Sequence, residues 1–230
     1  MIAEVFDVGW VLDHLDDVGS ALWEHVQLTV LAVAIGLAIS FPVAVFAYRH
    51  RVVYAPVTWV AGILYTIPSL ALFAFLVPYT KLSYLTAEIG LVSYTLLILI
   101  RNIVAGLSGV PADVREAARG MGYTDRQMLW KVDLPLAMPV ILAGVRIATV
   151  TTIGLVTVTS LIGLGGVGYF MLLGIRRFFS TASLLGALLS VGLALLADWL
   201  LVRTGRVLTP WSKERSALGS RSGATARSAA

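Results

Sequence analysis

The chain has 230 residues, of which 58% are hydrophobic and 13% charged, with a mean hydropathy of +0.88; that balance excludes a water-soluble globule and defines an integral membrane protein. The absence of cysteine excludes a disulfide framework, a thiolate nucleophile and a thiolate metal site. The net charge of +4 sits at segment ends and in the C-terminal tail, the pattern of membrane topology rather than of a nucleic-acid surface.

Residues 1–24 are acidic (Glu4, Asp7, Asp13, Asp16, Asp17, Glu24), and no Lys or Arg precedes Arg49. With no basic n-region ahead of the first apolar run, this is not a typical cleaved signal peptide. The expectation is a short amphipathic segment on the outer face, with Trp10 and Trp23 at the interface. Residues 25–48 form a first charge-free run long enough to cross a bilayer, ending at Arg49-His50-Arg51. A second run, 52–79, contains Pro56, Pro68 and Pro78, which a membrane helix tolerates where neighbours satisfy the freed carbonyls. A third, 85–107, carries Glu88 and Arg101; a fourth, 136–159, carries Arg146; a last, 181–202, carries Asp198. Arg101, Arg146 and Asp198 fall toward one end of their spans, where snorkelling or a mutual ion pair explains them.

Residues 160–180 read either as a sixth span or as a glycine-hinged, partly embedded loop. The positive-inside rule favours the loop. With Arg49, Arg51 and the 115–131 interval inside, the N-terminus lies outside. Five spans then place Arg203, Arg206, Lys213, Arg215, Arg221 and Arg227 inside. The run Gly163-Leu164-Gly165-Gly166-Val167-Gly168 matches G-x-G-x-x-G, but it lacks the preceding strand and downstream acid of a nucleotide site. A gate or hinge at Gly163, Gly165, Gly166 and Gly168 is the better reading. The Ser/Ala/Arg/Gly-rich tail after Pro210 has a disordered composition, so 204–230 is set apart as a basic cytoplasmic tail.

The only long polar interval between spans is 111–135. Pro111 suits the first turn of a helix, and Asp113 sits where the helix dipole favours a negative charge. Gly120 and Gly122 offer stops. Thr124 with Gln127 reads as a capping box opening a second short helix to about Lys131, before Leu134-Pro135 opens the next apolar run. A helical loop of no further role fits this composition too. The small-residue patch beside one carboxylate suits close approach by another protein's surface.

The spacing of Glu116-Ala117-Ala118, Gly122, Val132 and Leu134-Pro135 resembles the signature of the membrane subunits of binding-protein-dependent ABC importers, with Val where Ile is usual. The resemblance implies an all-α type I importer permease of about five spans. It also implies that this segment is a coupling helix docking into an ATPase subunit through Glu116, Ala117, Ala118, Gly122, Leu134 and Pro135. Gly122 would make the sharp turn. The stretches 66–72 (TIPSLAL), Arg101-Asn102, 107–110 (LSGV), 115–122, 134–146 and 161–166 further resemble permeases of osmoprotectant importers, over roughly residues 25–203. That subgroup moves glycine betaine, choline, carnitine and related compatible solutes. The resemblance implies two ATP-binding subunits, a second permease (the same chain or a relative), a separate extracytoplasmic binding protein, and a multi-pass place in the plasma or inner membrane.

The chain has no G-x-x-x-x-G-K-[ST], so no P-loop and no cofactor of its own is expected; ATP belongs to a partner. No Ser/His/Asp grouping or H-E-x-x-H supports a membrane enzyme, and His14, His25 and His50 are too scattered for a metal site. Trp59, Tyr65, Phe73, Phe75, Tyr79 and Tyr84 supply aromatic faces of the kind a quaternary ammonium prefers, although each singly reads as an interfacial belt residue. The rival readings are the same architecture importing another small polar solute such as an amino acid, and a passive channel.

Overall fold

The computed structural model describes residues 6–211. Helices α1 (Val8–Asp13), α2 (Leu15–Arg49), α3 (Arg51–Thr66), α4 (Ser69–Thr80) and α5 (Tyr84–Ser108) are followed by the short α6 (Ala112–Gly120) and α7 (Asp125–Met128). Then come α8 (Leu134–Val158), α9 (Gly168–Arg177) and α10 (Ser180–Leu208).

Helix α2 starts at Leu15, ahead of the apolar run, because Asp16 and Asp17 occupy its first turn where the dipole favours them. At 35 residues it measures about 52 Å, longer than the roughly 30 Å hydrocarbon layer, so its acidic first turns stand beyond the lipid. Trp10, expected at the interface, instead stacks on His14 and meets the edges of Phe170 and Phe179, whereas Trp23 is exposed.

The second apolar run is two helices that meet at a sharp bend. Pro68 drives Ile67 into extended backbone (φ −64°, ψ 127°), and α3 and α4 diverge by 92°. The Ile67 carbonyl freed at the bend accepts a hydrogen bond from the buried Tyr94 hydroxyl of α5. Tyr94→Phe keeps the ring and deletes that donor. It is expected to cost about 1 kcal/mol and to lower the thermal midpoint of the detergent-solubilised protein by roughly 2–4 °C; an unchanged midpoint would mean that the bend does not depend on this bond.

Helix α5 is the most buried element and packs against α2 on one side and α8 on the other. Small residues allow the approach: a methyl group on Gly36 of α2 would strike Thr95, and one on Gly144 of α8 would strike Asn102. Among the described residues four helices are long and apolar enough to cross a membrane, and the bent α3–α4 pair brings the number to five if it crosses as one broken span. Helix α9, at ten residues or about 15 Å, is too short to cross, so 160–180 is not a sixth span. Residues 204–208 continue α10, Thr209 caps it, and residues 212–230 of the expected tail, with Lys213, Arg215, Arg221 and Arg227, lie outside the described residues.

The bundle therefore has two unlike ends. One gathers α1, the start of α2, the α4–α5 turn, the glycine loop, α9 and the start of α10, tied by the Asp7 N–H donating to Thr181 Oγ1 at 2.9 Å. The other gathers Arg49–Arg51, α6, α7 and the C-terminal end of α10.

Candidate functional site

At the second end, α6 follows Pro111 and carries Asp113 in its first turn and Arg119 in its last. It closes in a Schellman motif: Tyr123 N–H donates to Ala118 O at 3.2 Å and Gly122 N–H to Arg119 O at 2.9 Å. Gly122 adopts φ +82°, the left-handed conformation that this turn requires. Of the signature residues, Glu116, Ala117 and Gly122 are exposed, and Ala118 is buried. Met121 projects beside them, 72% exposed. The Glu116 carboxylate forms no hydrogen bond or ion pair among the described residues, so its charge faces outward.

The capping box at Thr124 and Gln127 forms as expected, but α7 does not end before the next span. A π-helical stretch, Leu129–Asp133, carries it straight into α8, with Leu134 N–H donating to Leu129 O. Pro135 explains the widening: it lacks an N–H for the carbonyl of Lys131, and its ring would clash with that carbonyl in a regular α-helix. Leu134 is buried in the core and Pro135 is half-buried beside it, at the point where the segment enters α8.

Arg115 holds the segment to the spans. Its Nε donates to Asp133 Oδ1 at 2.8 Å, its Nη2 donates to the Leu107 carbonyl at the end of α5, and its guanidinium lies 5.4 Å from the Tyr48 ring centroid of α2. The pair is sheltered, with side chains 21% and 6% exposed. Sequence reasoning missed this contact. The signal was a lone acid, Asp133, at the threshold of an apolar helix, which needs a partner. Arg49, Arg51, Arg119, Arg126 and Lys131 compete for that role in the linear sequence.

At the opposite end, Thr159–Ile162 forms a 3-10 turn, and the loop that follows has φ +83° at Gly163, +125° at Gly165 and +48° at Gly166. The loop is closely packed against α2. A Cβ on Gly166 would lie 2.5 Å from His25 Cβ and 2.6 Å from the Ala21 carbonyl oxygen, and one on Gly168 would strike Thr157. Glu24 fastens it, accepting from Gly166 N–H at 3.1 Å and from the Tyr84 hydroxyl at 3.4 Å. His25 Nε2 lies 3.1 Å from Ile153 O of α8. A cleft of about 670 Å³ opens beside the loop, lined in part by Asp17, Glu24, Tyr84, Tyr169 and Arg176.

Arg146 and Asp198 do pair, at 2.7 Å, joining α8 to α10. Arg101 has no partner among the described residues, and the buried Glu88 carboxylate makes no hydrogen bond there. Phe73 packs on Gly90 in the core, while Trp59, Phe75 and Tyr79 are largely exposed. Among the described residues there is no group of three or more His, Cys, Asp or Glu that could hold a metal.

A bent α3–α4 pair, a short α9 and a polar helical segment inserted before α8 define an all-helical architecture with several apolar helices long enough to cross a membrane. Two solved transporter structures share the fold. An inward-facing methionine ABC transporter, MetNI, matches with a TM-score of 0.76 and 24% identity over 86% of this chain and 98% of that one. An amino acid ABC transporter with histidines matches at 0.72 and 19%, over 87% and 98%. The fold is thus that of the type I ABC importer permeases.

Residues 27–206 match the family described as binding-protein-dependent transport system inner membrane component, and the chain belongs to it. It is a multi-pass membrane component of a transport system, not an enzyme, and membership implies no cofactor of its own. Among curated relatives, the osmoprotectant import permease protein OsmW of Salmonella typhimurium is 38% identical over 88% of this chain and 97% of its own length. The choline transport system permease protein OpuBB of Bacillus subtilis is 33% identical over 84% and 89%. The carnitine transport permease protein OpuCB of Listeria monocytogenes is 36% identical over 82% and 86%.

Proposed function

We propose that this chain is the permease subunit of an ATP-driven importer of compatible solutes (glycine betaine, choline, carnitine or a close analogue) delivered by a separate binding protein. The observation that carries the substrate class is similarity of 33–38% identity, across more than four-fifths of the chain, to permeases named for those solutes. The transmembrane domain is residues 25–203. Arg49, Arg51, Arg115, Arg119, Arg126, Lys131, Arg203 and Arg206 gather at the end that carries α6, against Lys81, Arg176 and Arg177 at the other. This asymmetry supports a cytoplasmic coupling end and C-terminus, with the N-terminus outside.

Two ATPase subunits dock on the α6 segments of a permease pair, this chain with a second copy or a relative. Glu116 supplies a charged contact, Ala117 allows close approach of the partner, Ala118 on the buried side of α6 keeps that helix close to the rest of the chain, and Gly122 turns the chain back beneath the exposed Met121. Leu134 and Pro135 root the segment in α8. Closure of the ATPases moves the segment as a unit, and Arg115 passes that motion to α5 and α8, switching the pore between its two facings. At the outer end, the loop carrying Gly163, Gly165, Gly166 and Gly168 acts as a joint: Gly163 turns the chain at φ +83°, and the close packing of Gly165, Gly166 and Gly168 fixes where α9 and α10 enter. Competition of labelled glycine betaine uptake by choline, carnitine and amino acids tests the substrate class. Inhibition by the methylated ammonium compounds alone supports it, whereas inhibition by amino acids alone sustains the rival importer reading.

A further inference from the structure

We infer that the cleft opposite the coupling segment is a collecting site for small zwitterions carrying a quaternary ammonium and a carboxylate; this rests on the compatible-solute reading above. Its wall is built from three elements: Asp17 and Glu24 of α2, Tyr84 at the start of α5, and Tyr169 and Arg176 of α9. Opposite charges line it without neutralising one another. The side chains of Asp17 and Arg176 make no ion pair or hydrogen bond among the described residues. Glu24 is held in place by the Gly166 N–H and the Tyr84 hydroxyl, so its charge stays fixed on the wall.

A cation alone would meet the carboxylates but be repelled by Arg176, and an anion alone would meet the reverse. A molecule with both charges a few bonds apart answers both sides. Its methylated ammonium has no N–H to donate, so it is held by the carboxylate field and by the exposed faces of Tyr84 and Tyr169. Its carboxylate takes paired N–H donors from Arg176. At about 670 Å³ the cleft is larger than such a solute, which shares it with water and leaves readily, as a transport path requires.

The test is uptake by the complete importer in proteoliposomes, comparing kcat/KM for glycine betaine, carnitine and choline in the natural chain, Arg176→Gln and Arg176→Lys. The binding protein is the same throughout, so the ratio between variants reports the permease alone. Arg176→Gln is expected to lower kcat/KM for the two zwitterions by roughly fivefold and to change choline by less than about twofold. Arg176→Lys, which keeps the charge but not the paired donors, restores only part of the loss. An equal loss for all three solutes, or no change for any, would overturn the site. Failure of the natural complex to import any of them would instead remove the compatible-solute reading, and the site with it.

Discussion

Arg115→Ala is expected to lower stability by about 3 kcal/mol, because it leaves the carboxylate of Asp133 buried without its cation. It also strips the Leu107 carbonyl of its donor and uncovers Tyr48. The thermal midpoint of the solubilised chain should fall by several degrees, and solute imported per ATP hydrolysed should collapse in whatever fraction still assembles. Stability and transmission separate in a double variant. Arg115→Met with Asp133→Leu replaces the pair by apolar side chains of similar size, which costs little stability or none. If the pair carries motion from α6 to α5 and α8, that variant assembles and hydrolyses ATP yet imports poorly. Normal import by the double variant would show that the pair only holds the fold.

Gly122→Asp is expected to reduce uptake more than tenfold while leaving the protein inserted. The position has φ +82° with nothing within 4 Å of an added Cβ, so the cost is backbone strain and not a clash. That strain is roughly 1–2 kcal/mol for an ordinary residue and less for Asp or Asn, which tolerate the left-handed region. The new carboxylate also meets the negative C-terminal end of α6 and lies on the surface that exposes Glu116. Gly122→Asn shares the backbone tolerance without the charge and should keep most of the uptake. Basal ATP hydrolysis by the assembled complex is the control. Normal uptake by Gly122→Asp would count against docking at this turn.

Local rules reached far along this chain. The capping box at Thr124 and Gln127 and the stop at Gly122 follow from caps and glycine, and the exclusion of a sixth span at 160–180 from charge; all are short-range signals, although the helix α9 within 160–180 was not foreseen. The Arg146–Asp198 pair could be anticipated because each charge lies near the same end of an apolar span. What was not legible depends on contacts distant in sequence. Asp133 finds Arg115 across 18 residues, and Glu24 finds Gly166 across 142. The glycine run reads as flexible in one dimension; in three it is held at Gly166 against α2, whose Ala21 and His25 leave no room there for a side chain. Pro135 suggests a helix start, yet the chain absorbs it with a π-helical turn and joins α7 to α8. The bend at Pro68 was foreshadowed by the proline, but neither its 92° angle nor the hydrogen bond that the Ile67 carbonyl accepts from Tyr94, 27 residues further on, could be read from the sequence.

The central claim is best tested by uptake of radiolabelled glycine betaine into proteoliposomes containing this chain with the proposed ATPase, second permease and binding protein. Uptake that requires both ATP and the binding protein is the predicted result. Uptake that persists without ATP would contradict the account, since the exposed α6 surface and its Arg115 anchor would then have nothing to transmit.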